Sequence, residues 1–195
     1  RRRARSYLET GKKVTEGDVI DCTRFIETNC LQGRPGKQYC ILCGKSSDHF
    51  LPDGIVADVF QRSHIIGAGR REHSICPVCG SNDRARWCFY VLEKYTRIMC
   101  TTCTALHFAP EKGISDMIRT NEQCNYITAD IEKNVGMIVV DITNIPFRDN
   151  TFDYVIVNHV LEHVGDDRRA LSEIYRVLKQ NGLAAVSFPI CLDQN

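Results

Sequence analysis

Six of the eleven cysteines fall into three C-x-x-C pairs, Cys40/Cys43, Cys76/Cys79 and Cys100/Cys103. Paired spacing of this kind argues for metal ligation rather than disulfides. In CILCG and CPVCGS a glycine follows the second cysteine. It permits a tight reversal in which backbone amides can point at sulfur, a geometry suited to tetrahedral Zn²⁺. Cys40, Cys43, Cys76 and Cys79 together would fill a structural zinc site with no open position for water. The 32 residues between the two knuckles exceed the spacing of a compact ribbon, which leaves His49, His64 and His73 as alternative ligands. Cys100 and Cys103 precede an apolar run with no glycine. They read as core or surface thiols, with redox chemistry or a second metal as the alternative. Cys22, Cys30, Cys88, Cys124 and Cys191 read as ordinary thiols.

A second constellation, His159-Val160-Leu161-Glu162-His163, spells H-x-x-E-H, in which two histidines one helical turn apart hold zinc and the glutamate activates water. That chemistry needs a sustained helix and a further acidic ligand downstream. Gly165-Asp166 interrupts the run, and the peptidase reading is set aside. Cysteine knuckles flanking histidines are also found in HNH nucleases, but no metal-binding His-Asn arrangement follows the second pair.

The elements that must position these groups follow from periodicity. Phe152 to Asn158 is a short apolar run suited to a strand buried on both faces of a parallel sheet. Asp166 and Asp167 offer an N-cap, and Leu171, Ile174, Tyr175 and Leu178 recur at helical spacing until Asn181-Gly182. Leu183 to Phe188 is apolar again, so the whole stretch predicts a right-handed βαβ crossover, with function beyond the carboxyl ends of the strands. Upstream, TALHFAP, KGISDMIRT, NYITADI and MIVVDI alternate as in a parallel α/β sheet. From Arg86 to Thr96, the residues Trp87, Tyr90, Val91 and Tyr95 predict one buried helical face, with Glu93 and Lys94 outward. The expected organisation is an N-terminal arm over 1–37, a zinc-knuckle module over 38–84 and an α/β domain over 85–195.

Composition bounds the rest. In 195 residues, 43% hydrophobic content is ample for a core, and a net charge of +1 argues against a strongly electrostatic partner. The opening RRRAR and the run 62–73 are locally basic and read as solvated charge. No apolar run reaches membrane-spanning length, and the first seven residues lack the apolar segment of a secretory signal. The expectation is a cytoplasmic protein without a membrane partner. The chain begins with Arg, as a fragment or processed chain would.

LHFAPEKG, NYITADI, VVDITNIPF, PFRDNTFDYV, NHVLEHV and RVLKQNG, in that order, resemble class I S-adenosylmethionine-dependent methyltransferases of the type-11-like kind. CILCG, FLPDG, CPVCGS, LHFAPE and ITADI further resemble a subgroup carrying an N-terminal four-cysteine zinc module, so the likeness covers residues 39–190. It implies a Rossmann-like, doubly wound parallel sheet preceded by a small zinc-binding module. The chain ends after the fifth strand of a sheet that has seven in the family, so this sheet reads as C-terminally incomplete. LHFAPEKG takes the place of the family's glycine-rich loop. His107 stands where an acid is usual, Ala109 and Glu111 replace glycines, and Gly113 remains. By resemblance, Ala109 permits close backbone approach and Glu111 bonds the cofactor's amino-acid portion. Asp130 accepts from the ribose hydroxyls, Asp141 accepts from the adenine amine and Ile142 packs on the ring. Asn158 and His159 lie beside the transferable methyl, with His159 as base. The insertion at 55–74 departs from the subgroup pattern.

The implied function is methyl transfer from S-adenosylmethionine to an unidentified O, N or S acceptor, with Zn²⁺ as a structural ion. The alternative is a catalytically degenerate methyltransferase fold that binds or scaffolds through its zinc module. Nothing resembles a base-stacking surface or a groove-reading helix, which argues against a nucleic-acid acceptor. Oligomeric state is not legible.

Overall fold

The structure, a computed structural model, describes residues 37–63 and 65–191. The expected arm apart from Lys37, together with Cys22, Cys30 and His64, lies outside the described residues. The strands are β1 (Gln38–Cys40), β2 (Lys45–Ser47), β3 (Leu51–Asp53), β4 (Ile65–Ile66), β5 (Arg71–Ile75), β6 (Cys103–Phe108), β7 (Cys124–Asp130), β8 (Ile138–Val139), β9 (Phe152–Asn158), β10 (Leu178–Ser187) and β11 (Ile190–Cys191). Helices α1 (Asp58–Arg62), α2 (Asp83–Tyr95), α3 (Lys112–Ile118) and α4 (Asp167–Val177) alternate with them, and a 3₁₀ turn spans Leu161–His163. No helix of the described residues is long and apolar enough to cross a membrane.

Five strands form one parallel sheet in the order β10-β9-β6-β7-β8. The chain moves outward from β6 through β7 to β8, then returns to the other side of β6 for β9 and β10. This reversal opens a crevice beyond the carboxyl ends of β6 and β9. The architecture is the expected Rossmann-like one. The two sheet faces carry separate apolar sets. Ala105, Ile156 and Tyr126 pack with Ala85, Cys88, Phe89 and Leu92 of α2 and with Ile114 and Ile118 of α3. Leu106, Phe108, Ala129, Val155 and Val157 pack with Ala170, Ile174 and Val177 of α4. Helices on both faces are what a strand buried on both sides requires.

Two helix faces differ from expectation. In α2 the buried apolar set is Ala85, Cys88, Phe89 and Leu92, at i, i+3, i+4 and i+7, while Trp87, Tyr90, Val91 and Tyr95 are only half-buried. In α4, capped by Asp166 accepting from the Arg169 amide at 2.9 Å, the buried face is Ala170, Ile174 and Val177. Tyr175 is 83% exposed and Leu171 is exposed as well. The helix also stops at Val177 rather than at Asn181, because Leu178 already pairs with Phe152 as the first residue of β10. In both helices the inner face is set by the i, i+3/i+4, i+7 spacing, with Phe89, Leu92 and Ile174 buried beside the small residues.

The insertion folds onto the same molecule. Its α1 is followed by β4, which pairs antiparallel with β11 beyond the end of the main sheet. Around it, β1 pairs β2 and β3 pairs β5. Arg71 of β5 ties these pieces together by donating to Asp53 at 2.9 Å, to Asp83 at 2.8 Å and to the Gly69 carbonyl at 2.7 Å.

Phe152 is fully buried with its ring edge-on to Phe147 at 5.0 Å. Phe152→Ala is expected to lower unfolding free energy by about 3–5 kcal/mol, measured as a fall in the denaturant midpoint at unchanged slope.

Candidate functional site

Three carboxylates reach the carboxyl edge of the main sheet. Asp130 ends β7, and its main chain is paired with Val139 of β8, two residues before Asp141. Each of these aspartates keeps one oxygen occupied locally. The Glu132 amide donates to Asp130 Oδ1 at 2.8 Å, and the amide and hydroxyl of Thr143 both donate to Asp141 Oδ1 at 2.8 Å. The Thr143 hydrogen bonds hold the Asp141 carboxyl below its ordinary range. The other oxygen of each has no hydrogen bond among the described residues, so both offer an acceptor outward.

The third carboxylate, Glu111, leads into α3 and is satisfied differently. His107 Nε2 lies 3.0 Å from Oε2, and the Asn158 amide donates to Oε1. His107 is thus not an open ligand group. It is fully buried and grips Glu111 from behind, while Asn158, also buried, holds it from the end of β9. Ala109 between them adopts φ of +47°, a left-handed conformation that glycine takes more readily, and its amide donates to the Ala129 carbonyl beside Asp130 at 2.9 Å. The loop is thereby pinned across the β6–β7 edge by hydrogen bonds.

Two of the expected residues are engaged elsewhere. A side chain at Gly113 would meet Leu42 Cδ1 at 3.2 Å, so the space this glycine leaves is filled by the first cysteine knuckle. Ile142 is 5% exposed and packs in the core with Val140 and Ile145, which leaves chiefly its main chain for an outside group. An exposed apolar side chain on that rim is Ile131, 70% exposed directly after Asp130. Sequence reasoning passed over it, although an isoleucine following a strand-terminal carboxylate was visible in TADI.

His159 follows β9 with φ of +54°, and its amide donates to the Ser187 carbonyl. Nδ1 lies 2.9 Å from Glu162 Oε1. Burial, reinforced by the Arg84 charge, holds the imidazole below its ordinary value, against the pull of Glu162. A neutral ring donating Nδ1–H to Glu162 keeps Nε2 as its basic atom. The insertion closes on this histidine, since a side chain at Gly67 would come within 3.7 Å of His159 Cε1. Behind Gly67 the insertion holds an open cavity of about 330 Å³ bordered by Ile55, Val56, Phe60, Ile65, Arg70 and Glu72. Glu162 and His163 sit in the 3₁₀ turn and His159 outside it, so H-x-x-E-H forms no two-histidine helical face.

Residues 91–186 match the methyltransferase domain family. The matched segment is just under half of the chain and contains β6 to β9, α3, α4, the last turn of α2 and most of β10. Demethylmenaquinone methyltransferase of Staphylococcus epidermidis is 41% identical over 66 residues, covering 34% of this chain and 25% of that protein. The enzyme of the same description from Geobacillus sp. is 49% identical over 49 residues, covering 25% and 21%. The chain thus spans about a quarter of the length of these relatives. Among solved structures, a putative sarcosine dimethylglycine methyltransferase from Galdieria sulphuraria aligns at TM-score 0.47 and 18% identity over 55% of this chain and 46% of that one. The sheet order and the matched segment together support a class I methyltransferase.

Outside the methyltransferase segment, the two knuckles converge. The sulfurs of Cys40, Cys43, Cys76 and Cys79 all lie within 4.8 Å of one another, with Cys40–Cys79 at 3.7 Å and Cys43–Cys76 at 3.9 Å. A tetrahedron with Zn–S of about 2.3 Å has edges of about 3.8 Å, so the donor set fits zinc in kind and in size. The long insertion does not spoil this convergence, because β5 returns to pair with β3 before Cys76. His49 and His73 are exposed and stand outside the cluster. Cys100 is exposed and Cys103 is buried at the start of β6, and neither joins a metal-sized group among the described residues.

The Glu162 carboxylate favours the charged imidazolium of His159, so removing its charge lowers the histidine's pKa further. Titration of the His159 ring by NMR is expected to place wild type below 6.5 and Glu162→Gln lower still. An upward movement would mean that Glu162 does not act on the ring.

Proposed function

We propose that this chain is an S-adenosylmethionine-dependent methyltransferase acting on an O, N or S acceptor, with residues 38–84 as a zinc-bound structural module and 85–195 as the catalytic domain. The observation that carries the reading is the gathering of Asp130, Asp141 and Glu111 on one sheet edge at the point where strand order reverses. When bound, the cofactor supplies a methyl group already activated on a sulfonium. The protein's work is therefore alignment, exclusion of water and handling of one proton.

In this reading the free oxygen of Asp130 takes the ribose hydroxyls and that of Asp141 the adenine amine. Ile131 and the main chain at Ile142 border the base. Glu111, supported by His107 and Asn158, faces the ammonium of the amino-acid portion, and pinned Ala109 lets the backbone approach. His159 Nε2 takes the acceptor's proton. The acceptor enters between His159 and the insertion, whose cavity is bordered by apolar Ile55, Val56, Phe60 and Ile65 and by charged Arg70 and Glu72. The four thiolates enclose zinc completely and leave it no catalytic position. Its role is to hold the knuckle that seats Leu42 against Gly113 at the start of α3.

Calorimetry with S-adenosylhomocysteine tests the cofactor site. Binding to the full chain is expected, and Asp130→Ala should weaken it about 10–100-fold, the loss of hydrogen bonds to a charged acceptor. A wild-type chain that does not bind would support the scaffold reading instead.

Metal analysis tests the module. One zinc per chain is expected, and both strong chelation and Cys76→Ser should lower the unfolding temperature as the metal leaves. Full stability after metal removal would count against a structural ion.

A further inference from the structure

Behind Glu111 runs an unbroken chain of buried polar groups. The Ser115 hydroxyl lies 2.9 Å from the Tyr126 hydroxyl, which lies 2.7 Å from His107 Nδ1, and His107 Nε2 reaches Glu111 Oε2 at 3.0 Å. From the other side, the Ser187 hydroxyl donates to Asn158 Oδ1, and the Asn158 amide donates to Glu111 Oε1. Ser115, Tyr126, His107 and Asn158 are all buried.

Hydrogen-bond capacity sets the direction of every link. A carboxylate only accepts, so His107 carries its proton on Nε2. With one ring proton, Nδ1 is an acceptor, and the Tyr126 hydroxyl is the group placed to donate to it. Burial pushes the Tyr126 phenol up to about 12, so the proton is there to give. The Tyr126 oxygen then accepts from Ser115. On the other arm, an asparagine that donates through Nδ2 presents Oδ1 to Ser187, which donates. Both arms point all their hydrogens toward one carboxylate. Nothing in the methyltransferase chemistry itself demands Tyr126, Ser115 or Ser187.

We propose that Tyr126 and Ser187, with Ser115 behind Tyr126, are positioning residues that hold Glu111 as an oriented carboxylate for a primary ammonium group. This rests on the reading above, in which Glu111 meets the amino-acid end of the cofactor. The relay keeps the carboxylate from rotating, because both oxygens already receive hydrogen bonds along fixed directions. Its two arms act on different oxygens through different strands.

Tyr126→Phe removes the donor and keeps the ring. Ser187→Ala does the same at a half-exposed position where folding is less at risk. Each is expected to weaken S-adenosylhomocysteine binding about tenfold while leaving adenosine, which lacks the amino-acid portion, unchanged. In ¹⁵N spectra of the free wild-type chain, His107 should show Nε2–H with Nδ1 unprotonated and hydrogen-bonded, and Tyr126→Phe should release that Nδ1 bond. Equal weakening of both ligands would reveal a merely structural role and overturn the proposal. So would a His107 protonated at Nδ1 in wild type. If wild type bound adenosine and S-adenosylhomocysteine equally well, the placement of the ammonium at Glu111 would itself be wrong, whatever the spectra showed about the relay.

Discussion

Pairing of β6 with β7 on one side and β9 on the other is the constraint on which the rest of this molecule depends. The connections from these strands leave in opposite directions, so the loops beyond their carboxyl ends part and a crevice opens. Register then decides what the crevice contains. His107 sits opposite Thr128 on β7 and Ile156 on β9. Tyr126 stands two residues before Thr128 and Asn158 two residues after Ile156, so all three share one sheet face at successive heights. Slipping either pairing by one residue would send His107 to the α4 side and leave Glu111 without support.

The same periodicity explains which features could be read in the amino-acid sequence. The strands were legible because burial on both faces demands continuous apolar runs, as in FDYVIVN. The convergence of two glycine-followed knuckles was legible because each imposes its own turn whatever lies between them. Asp130 and Asp141 were legible through the family resemblance, the one ending β7 and the other lying two residues beyond β8. The buried faces of α2 and α4 were misjudged, since aromatic bulk was taken as the sign of burial. The near face follows the helical phase, which buries Ala85, Cys88, Phe89 and Leu92 in α2 and Ala170, Ile174 and Val177 in α4, and leaves Tyr175 in water. Nor was the Glu111 support legible. Its partners lie 4 and 47 residues away, and nothing local in LHFAPE says that a histidine in a strand grips a carboxylate after it.

The first loop, with one glycine in LHFAPEKG, is held by this network. A glycine-rich loop approaches a ligand closely because it has no side chains to clash. This loop bears proline, alanine and glutamate, so it must be held in one shape. Ala109 accepts a left-handed conformation, its amide is tied to Ala129, and Glu111 is tied to both neighbouring strands. Backbone freedom has been replaced by fixed hydrogen bonds, and the one glycine that remains serves packing against Leu42.

That last contact joins the two halves of the chain. The knuckle bearing Cys40 and Cys43 carries Leu42 at its tip, and the tip rests on the first turn of α3, next to Glu111. On the far side, Arg71 links β5 to Asp83 at the start of α2, and Arg84 beside it contributes to keeping His159 in its neutral form. A cysteine module with no open ligand position therefore still bears on the crevice at both ends, through the seat of α3 and through the charge near His159. Its four thiols are few in area but would be rigid with a metal among them, and rigidity is what a short helix of seven residues cannot supply alone. Pairing of β3 with β5 closes the base of the insertion between the knuckles, and Gly67 of that insertion lies against His159.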